Sequence, residues 1–232
     1  KQKEQNVRAR EELQSLVSDI SHQTRTPVTN LKMIQETLHD DSLTESEKNE
    51  FLEAFASQID KLDFLVQAMV KTSRLETGVI MLTKKTQNLY DTLAEAVGGI
   101  FTKAAQKQMD VRVDCPETFL VSHDPKWTTE AIFNILDNAV KYTPPGGMIS
   151  VSVERWEAYV KIDIADTGKG IPEEHYALIF QRFYREEEVH DEEGVGIGLY
   201  LAREIISLQG GYVKVSSRQR SGSVFSVFLP NE

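Results

Sequence analysis

Asn134-Ile-Leu-Asp-Asn138-Ala-Val-Lys141-Tyr142, Asp166-Thr-Gly168-Lys-Gly170-Ile-Pro and Gly194-Val-Gly196-Ile-Gly198-Leu-Tyr follow one another in the second half of this chain. Two of the three segments are glycine-rich turns, in which backbone amides can approach a polyphosphate where any Cβ would obstruct. The first carries two amides one helical turn apart, a spacing that can hold a hard cation through oxygen. Each element alone is weak. In this order they read as an ATP site built at helix ends and in loops.

Outward from that site, residues after Gly78 alternate between two textures. Val79–Leu82, Val111–Val113, Thr118–Val121, Met148–Val153, Tyr159–Ile164, Gly211–Val215 and Ser223–Leu229 read as strands, several with two-residue alternation. Leu89 to about Lys107, Lys126 to about Tyr142 and Leu199 to about Leu208 carry the helical period. The expectation is an α/β sandwich over 77–232 with one sheet face covered by helices.

Residues 1–76 differ. Leu13, Leu16, Ile20, Thr24, Leu31, Ile34 and Leu38 step by three and four, apart from a gap around Pro27. Leu52, Phe55, Ile59, Leu62, Val66 and Met69 repeat the step. Between the stripes, Thr44 and Glu47 spell a capping box for the second helix. This is a helical hairpin, and two helices alone leave part of each apolar stripe wet. Two copies should therefore pair into a four-helix bundle, making the whole an α+β chain. Thr77-Gly78 marks a short hinge between the two parts.

A net charge of −10 argues against non-specific nucleic-acid binding, which needs clustered Lys and Arg. The single Cys115 cannot form an internal disulfide, which fits a reducing cytoplasm. No run approaches the ~20 apolar residues of a membrane span, so any membrane anchor would lie upstream of this segment.

The first hairpin helix carries Ser21-His22-Gln23-Thr24-Arg25-Thr26-Pro27. This resembles the phospho-acceptor box of sensor histidine kinases. The later order of Asn-rich, Asp-Thr-Gly-Lys-Gly, Phe-rich and Gly-x-Gly-x-Gly segments is similar to that family's catalytic domain, of the Bergerat ATP-binding type. Five boxes in order cover essentially the whole chain. The resemblance implies that His22 attacks the γ-phosphate of ATP and passes the phosphoryl group to an aspartate of a response regulator receiver domain.

Local chemistry adds to this reading. His22 lies about 200° around the helix from both Ile20 and Thr24 and should face solvent. Its imidazole is partly neutral near pH 7 and remains a good leaving group once phosphorylated. Pro27 should bend the helix near the acceptor. Arg25 is either a solvated charge or a phosphate contact. The chain departs from the family's commonest pattern at Gln23, where an Asp or Glu usually follows the acceptor; Gln can orient an imidazole N–H but cannot take its proton. Gln23 and Thr26 also occupy the family's phosphatase pair.

In the nucleotide domain the resemblance assigns Asn138 to Mg²⁺ with Asn134 in support, Lys141 to the phosphates, Tyr142 to the face of adenine, and Asp166 to its exocyclic amine. Gly168 and Gly170 would let the backbone pass beside the base. Phe180-Gln-Arg182-Phe183-Tyr184-Arg185 looks like the anchor of a lid, with Phe180 and Phe183 in the core and the two arginines toward phosphate. Gly194, Gly196 and Gly198 open the next helix, whose amino terminus favours phosphate. The acidic run Glu186–Glu193 reads as solvated and mobile.

Overall fold

The computed structural model describes residues 2–40, 42–76, 81–186 and 194–231, and its main division falls between Arg74 and Leu75. The expectations for Thr77, Gly78, Val79 and Ile80 lie outside the described residues, as do those for the side chains of Leu13 and Leu16.

The first unit is the expected hairpin: α1 spans Gln2–Thr37 and α2 spans Glu45–Glu76. α1 runs through Pro27 without a break, although Pro27 has no N–H to give the carbonyl of Gln23. The start of α2 is set by the capping box. Glu47 N–H donates to Thr44 Oγ1 at 3.3 Å, and Thr44 N–H donates back to Glu47 Oε2 at 2.8 Å. Asn30 Nδ2 donates to Gln58 Oε1 at 3.4 Å, which fixes the antiparallel register of the two helices.

The second unit is a mixed sheet with helices on one face. β1 (Lys85–Asn88) pairs antiparallel with β3 (Leu120–His123), apart from a five-stranded sheet ordered β2 (Asp110–Asp114), β4 (Met148–Arg155), β5 (Tyr159–Asp166), β7 (Gly222–Pro230) and β6 (Tyr212–Arg218). Only β2 and β4 run parallel in that sheet. Val160, Ile162 and Ile164 of β5 are buried while Lys161 and Asp163 between them are half-exposed, the alternation of a sheet covered on one side. The cover is α3 (Leu89–Gln106), α4 (Pro125–Tyr142) and α5 (Gly198–Leu208). Leu93, Ile100, Ile132, Ile135, Ile205 and Ile206 are fully buried, each worth roughly 1.5–3 kcal/mol of transfer free energy.

Two strand expectations need correction. Met81 and Leu82 are not in a strand; β1 forms instead over Lys-Thr-Gln-Asn, which has no apolar alternation and depends on its partner β3 for its conformation. β3 begins two residues later than the pattern Thr118–Val121 suggests.

α4 is placed by its amino end. Asp124 is the N-cap: Oδ1 accepts from Trp127 N–H at 3.2 Å, Pro125 follows at the first helical position, and Oδ2 accepts from Thr83 N–H at 2.8 Å. Buried Gln209, at the end of α5, accepts from Asp124 N–H at 2.8 Å and so joins the far ends of α4 and α5.

Candidate functional site

On α1, His22 is exposed, as are Ser21, Arg25 and Thr26, whereas Gln23 and Thr24 are half-buried and Pro27 is buried. Ser21 and Thr24 hydroxyls donate to the carbonyls of Val17 and Ile20, each at 2.8 Å, so both are committed to their own helix rather than to the imidazole. Gln23 and Thr26 side chains make no hydrogen bond among the described residues. The helix thus presents a histidine to solvent with two uncommitted polar groups one and four positions on.

In the sheet domain the predicted residues converge from α4, the loop after β5 and the start of α5. Asn138 is half-buried and its amide makes no hydrogen bond among the described residues. Asn134, one turn earlier, is committed: Nδ2 donates to Glu130 O at 2.8 Å, and Oδ1 lies against Gly198, where a Cβ would sit 2.9 Å away. Asn134 therefore joins α4 to the first turn of α5. Lys141 lies 5.2 Å from the centre of the Tyr142 ring, and Lys169 lies 5.5 Å from it.

Asp166 ends β5. Its Oδ1 accepts from Gly168 N–H at 2.8 Å and Ser223 N–H at 3.3 Å, while Oδ2 has no protein donor among the described residues. Burial pushes the carboxyl above its ordinary range, and the two amide donors only partly offset this. A desolvated carboxylate with one oxygen anchored and the other open can accept one further donor.

The glycines of this loop are required by the protein's own packing. A Cβ on Gly168 would stand 2.5 Å from Tyr142 O, and one on Gly170 would stand 2.3 Å from Arg218 O. The protein's own backbone excludes side chains at both. Gly196, with φ +76, similarly rests on Tyr184 O. Its carbonyl accepts from Phe183 N–H at 2.8 Å. Phe183 itself is in the left-handed region, with φ 62, a strained state for a bulky residue, and it is only half-buried. That corrects the assignment of Phe183 to the core; Phe180 is buried there, edge-on to Phe225.

Arg182 lies 5.4 Å from the Tyr200 ring on α5, and Arg185 and Gly194 are half-buried. Glu186 is not simply solvated. It pairs with Lys169 and with His175 Nδ1 at 3.0 Å; burial raises its carboxyl, but those two partners outweigh burial and hold it below the usual carboxylate range. Residues 187–193 of the acidic run lie outside the described residues. Sequence reasoning passed over Lys169, Ser223 and Gly222. Gly222, with φ +93, is so close to Asp166 that a Cβ would meet its carbonyl oxygen, and only the pairing of β5 with β7 reveals it.

Two families match this arrangement. Residues 12–78 match the His Kinase A (phospho-acceptor) domain, and residues 123–232 match the histidine kinase-, DNA gyrase B- and HSP90-like ATPase family. The chain belongs to the sensor histidine kinases of two-component systems. It is 32% identical to the adaptive-response sensory kinase SasA of Synechococcus sp. (strain JA-3-3Ab), over 90% of this chain and 57% of that protein. It is 30% identical to the signal transduction histidine-protein kinase/phosphatase MprB of Mycobacterium sp. (strain KMS), over 96% of this chain and 44% of MprB. This histidine kinase segment thus spans about half the length of such relatives. In fold it is similar to the histidine kinase ThkA solved with the response regulator protein TrrA, with a TM-score of 0.80 at 20% identity, covering 100% of this chain and 66% of that one. No described helix of the kinase is long and apolar enough to cross a membrane.

Proposed function

We propose that this chain is the kinase core of a two-component sensor, with a dimerisation and phospho-acceptor domain over 1–76 and an ATP-binding catalytic domain over 77–232. ATP binds in the sheet domain, His22 takes its γ-phosphoryl group, and an aspartate of a response regulator receiver domain receives it next. The observation that carries this reading is one chain holding both an exposed His22 and a sheet domain with an uncommitted amide, Asn138, and an open carboxylate oxygen on Asp166.

Asp166 Oδ2 accepts the exocyclic amine of adenine, a donor where guanine has a carbonyl. Tyr142 lies along the base, and Lys141, Arg182 and Arg185 face the phosphates. Gly194, Gly196 and Gly198 bring the amino end of α5 to the same charge. The Asn138 amide oxygen suits Mg²⁺, which favours oxygen ligands. Magnesium, when bound, neutralises charge on the triphosphate. A neutral imidazole nitrogen of His22 forms the N–P bond as the bond from the γ-phosphorus to the bridging oxygen breaks; ADP leaves, and the imidazole proton passes to solvent. Gln23 orients the ring through its carbonyl oxygen without taking that proton.

Two copies pair through the hairpin. Val17, Val28, Met33, Leu52, Ile59 and Phe64 expose large apolar surface along α1 and α2, and pairing would cover part of it. A cytoplasmic setting supplies ATP and suits the free thiol of Cys115.

A second reading is favoured by Gln23, which lacks a carboxylate, and by the kinase/phosphatase name of the relative MprB. In it, Gln23 and Thr26 align a water on the phosphorylated regulator and the chain works chiefly as a phosphatase. Incubation with γ-labelled ATP separates the two. The kinase reading expects acid-labile, base-stable label that Asn138→Asp reduces; nucleotide binding with no label on the chain would favour the second.

A further inference from the structure

The nucleotide groups of α4 crowd into its last turns, and that end of the helix lacks the usual means of satisfying its carbonyls. The C-cap, Thr143, is extended at φ −97 and ψ 131, so no left-handed residue folds a backbone N–H back onto the turn. A side chain from another helix does so instead. Lys107, the C-cap of α3, donates from Nζ to Val140 O at 2.9 Å, Lys141 O at 2.9 Å and Thr143 O at 3.2 Å. Three carbonyls use the three hydrogens of an ammonium, and the positive charge sits where the helix dipole is negative. The backbone of Lys107 joins in, its carbonyl accepting from Gly146 N–H at 2.9 Å in the turn after α4.

This arrangement reaches the site from two sides. Asn138, Lys141 and Tyr142 project from the turns whose carbonyls Lys107 holds. The last carbonyl of the helix, Tyr142 O, accepts from Lys169 N–H at 3.3 Å and is the atom on which Gly168 rests. The loop from Asp166 is therefore seated on a helix end that Lys107 shapes.

We infer that Lys107 is a positioning residue for nucleotide binding: it touches no ligand, but sets the end of α4 so that Asn138 and Tyr142 meet the nucleotide and the Asp166 loop packs at the right height. The inference rests on the reading of these residues as the ATP site. Losing such a supporting partner costs roughly 10–100-fold in affinity or activity where it has been removed from metal sites.

The test is calorimetric titration of the whole chain with Mg–ADP, alongside thermal unfolding, for the unaltered protein, Lys107→Met and Lys103→Met. Lys103 supplies the control, since it also links α3 to α4, through an exposed ion pair with Asp137 at 2.7 Å. Lys107→Met should raise the dissociation constant about tenfold or more, and Lys103→Met should leave it within about twofold, as exposed pairs contribute little. Equal affinity in folded Lys107→Met, or an equal loss in both variants, would overturn the inference while leaving the site in place. If the unaltered chain fails to bind Mg–ADP, the site reading falls and this inference with it. Should Lys107→Met not fold, Lys107→Gln keeps two of the three donor hydrogens and decides the matter: a several-fold weaker constant supports positioning, and an unchanged one overturns it.

Discussion

The hairpin and the sheet domain solve opposite problems. α1 and α2 leave Val17, Met33, Leu52, Ile59 and Phe64 between 48% and 60% exposed, whereas Leu89, Leu93, Ile132, Ile135 and Ile162 of the sheet domain are fully buried. A hairpin of long helices that leaves such side chains in water could bury them against a second copy, as the proposed dimer would. The sheet domain closes its own core and holds at the candidate site a desolvated Asp166, an uncommitted Asn138 and a left-handed Phe183. One region leaves apolar side chains exposed and the other leaves polar groups uncommitted, and in the proposed function each gap is filled by what the region binds.

The sharpest way to break this contrast is at its chemical ends. His22→Gln should abolish phosphorylation, with label below detection, and leave the Mg–ADP dissociation constant unchanged by calorimetry, because the proposed acceptor lies in the hairpin and the proposed nucleotide groups lie in the sheet domain.

Next in size is Asp166→Asn. The amide keeps an oxygen for Gly168 and Ser223 but turns a donor toward adenine, so affinity should drop by at least about tenfold. Stability should move the other way. The carboxyl is raised in the folded state, so its ionisation costs stability as pH rises from its ordinary 3.8 through the folded value. At neutral pH the variant without nucleotide should therefore melt no lower than the parent. A melting point several degrees lower would mean that Asp166 is structural.

For the hairpin, Ile59→Glu should convert a dimer into a monomer by sedimentation while Mg–ADP affinity stays within about twofold. A dimer that survives would place the contact elsewhere.

Gln23→Glu is a smaller, directional change. General-base assistance is worth roughly 10²–10⁴-fold when well placed, and an introduced carboxylate should recover part of that as faster single-turnover phosphorylation near neutral pH. The gain should fade as pH falls toward the carboxylate's ~4.3. Equal or slower rates would show that Gln23 is no handicap.

The smallest effect concerns buried His123, whose Nδ1–H donates to Val121 O at 3.0 Å, leaving Nε2 to accept from Thr92 Oγ1 at 2.8 Å. Burial lowers its pKa below the ordinary 6.5, so the contribution of neutral His123 is complete above that pH and is lost as pH falls beneath it. The melting point should decline from pH 6.5 downward, and less so in His123→Gln.

Much of this was legible before any coordinates, and the reason is local. The capping box at Thr44 and Glu47, the two helical stripes and the alternating strands β4, β5 and β7 each declare themselves within a few residues. The order of boxes likewise placed Asn138 and Asp166 in one domain. What stayed hidden depends on contacts distant in sequence. Lys-Thr-Gln-Asn becomes a strand only because β3 pairs with it. Gly222 matters only because β7 lies against the end of β5, and Lys107 only because α3 ends beside the last turn of α4. At Gly168 and Gly170, likewise, the obstruction that a side chain would meet within the protein is the carbonyl of Tyr142 or Arg218, each distant in sequence.

The central claim is that the nucleotide of the sheet domain phosphorylates the exposed histidine of the hairpin. The most direct measurement is to incubate the chain with Mg–ATP, quench in alkali, and locate the phosphoryl group by mass spectrometry of its peptides. The account predicts phosphate on His22, acid-labile and absent when Asn138→Asp or His22→Gln is used. Phosphate on another residue, or none on a chain that binds Mg–ADP, would contradict it.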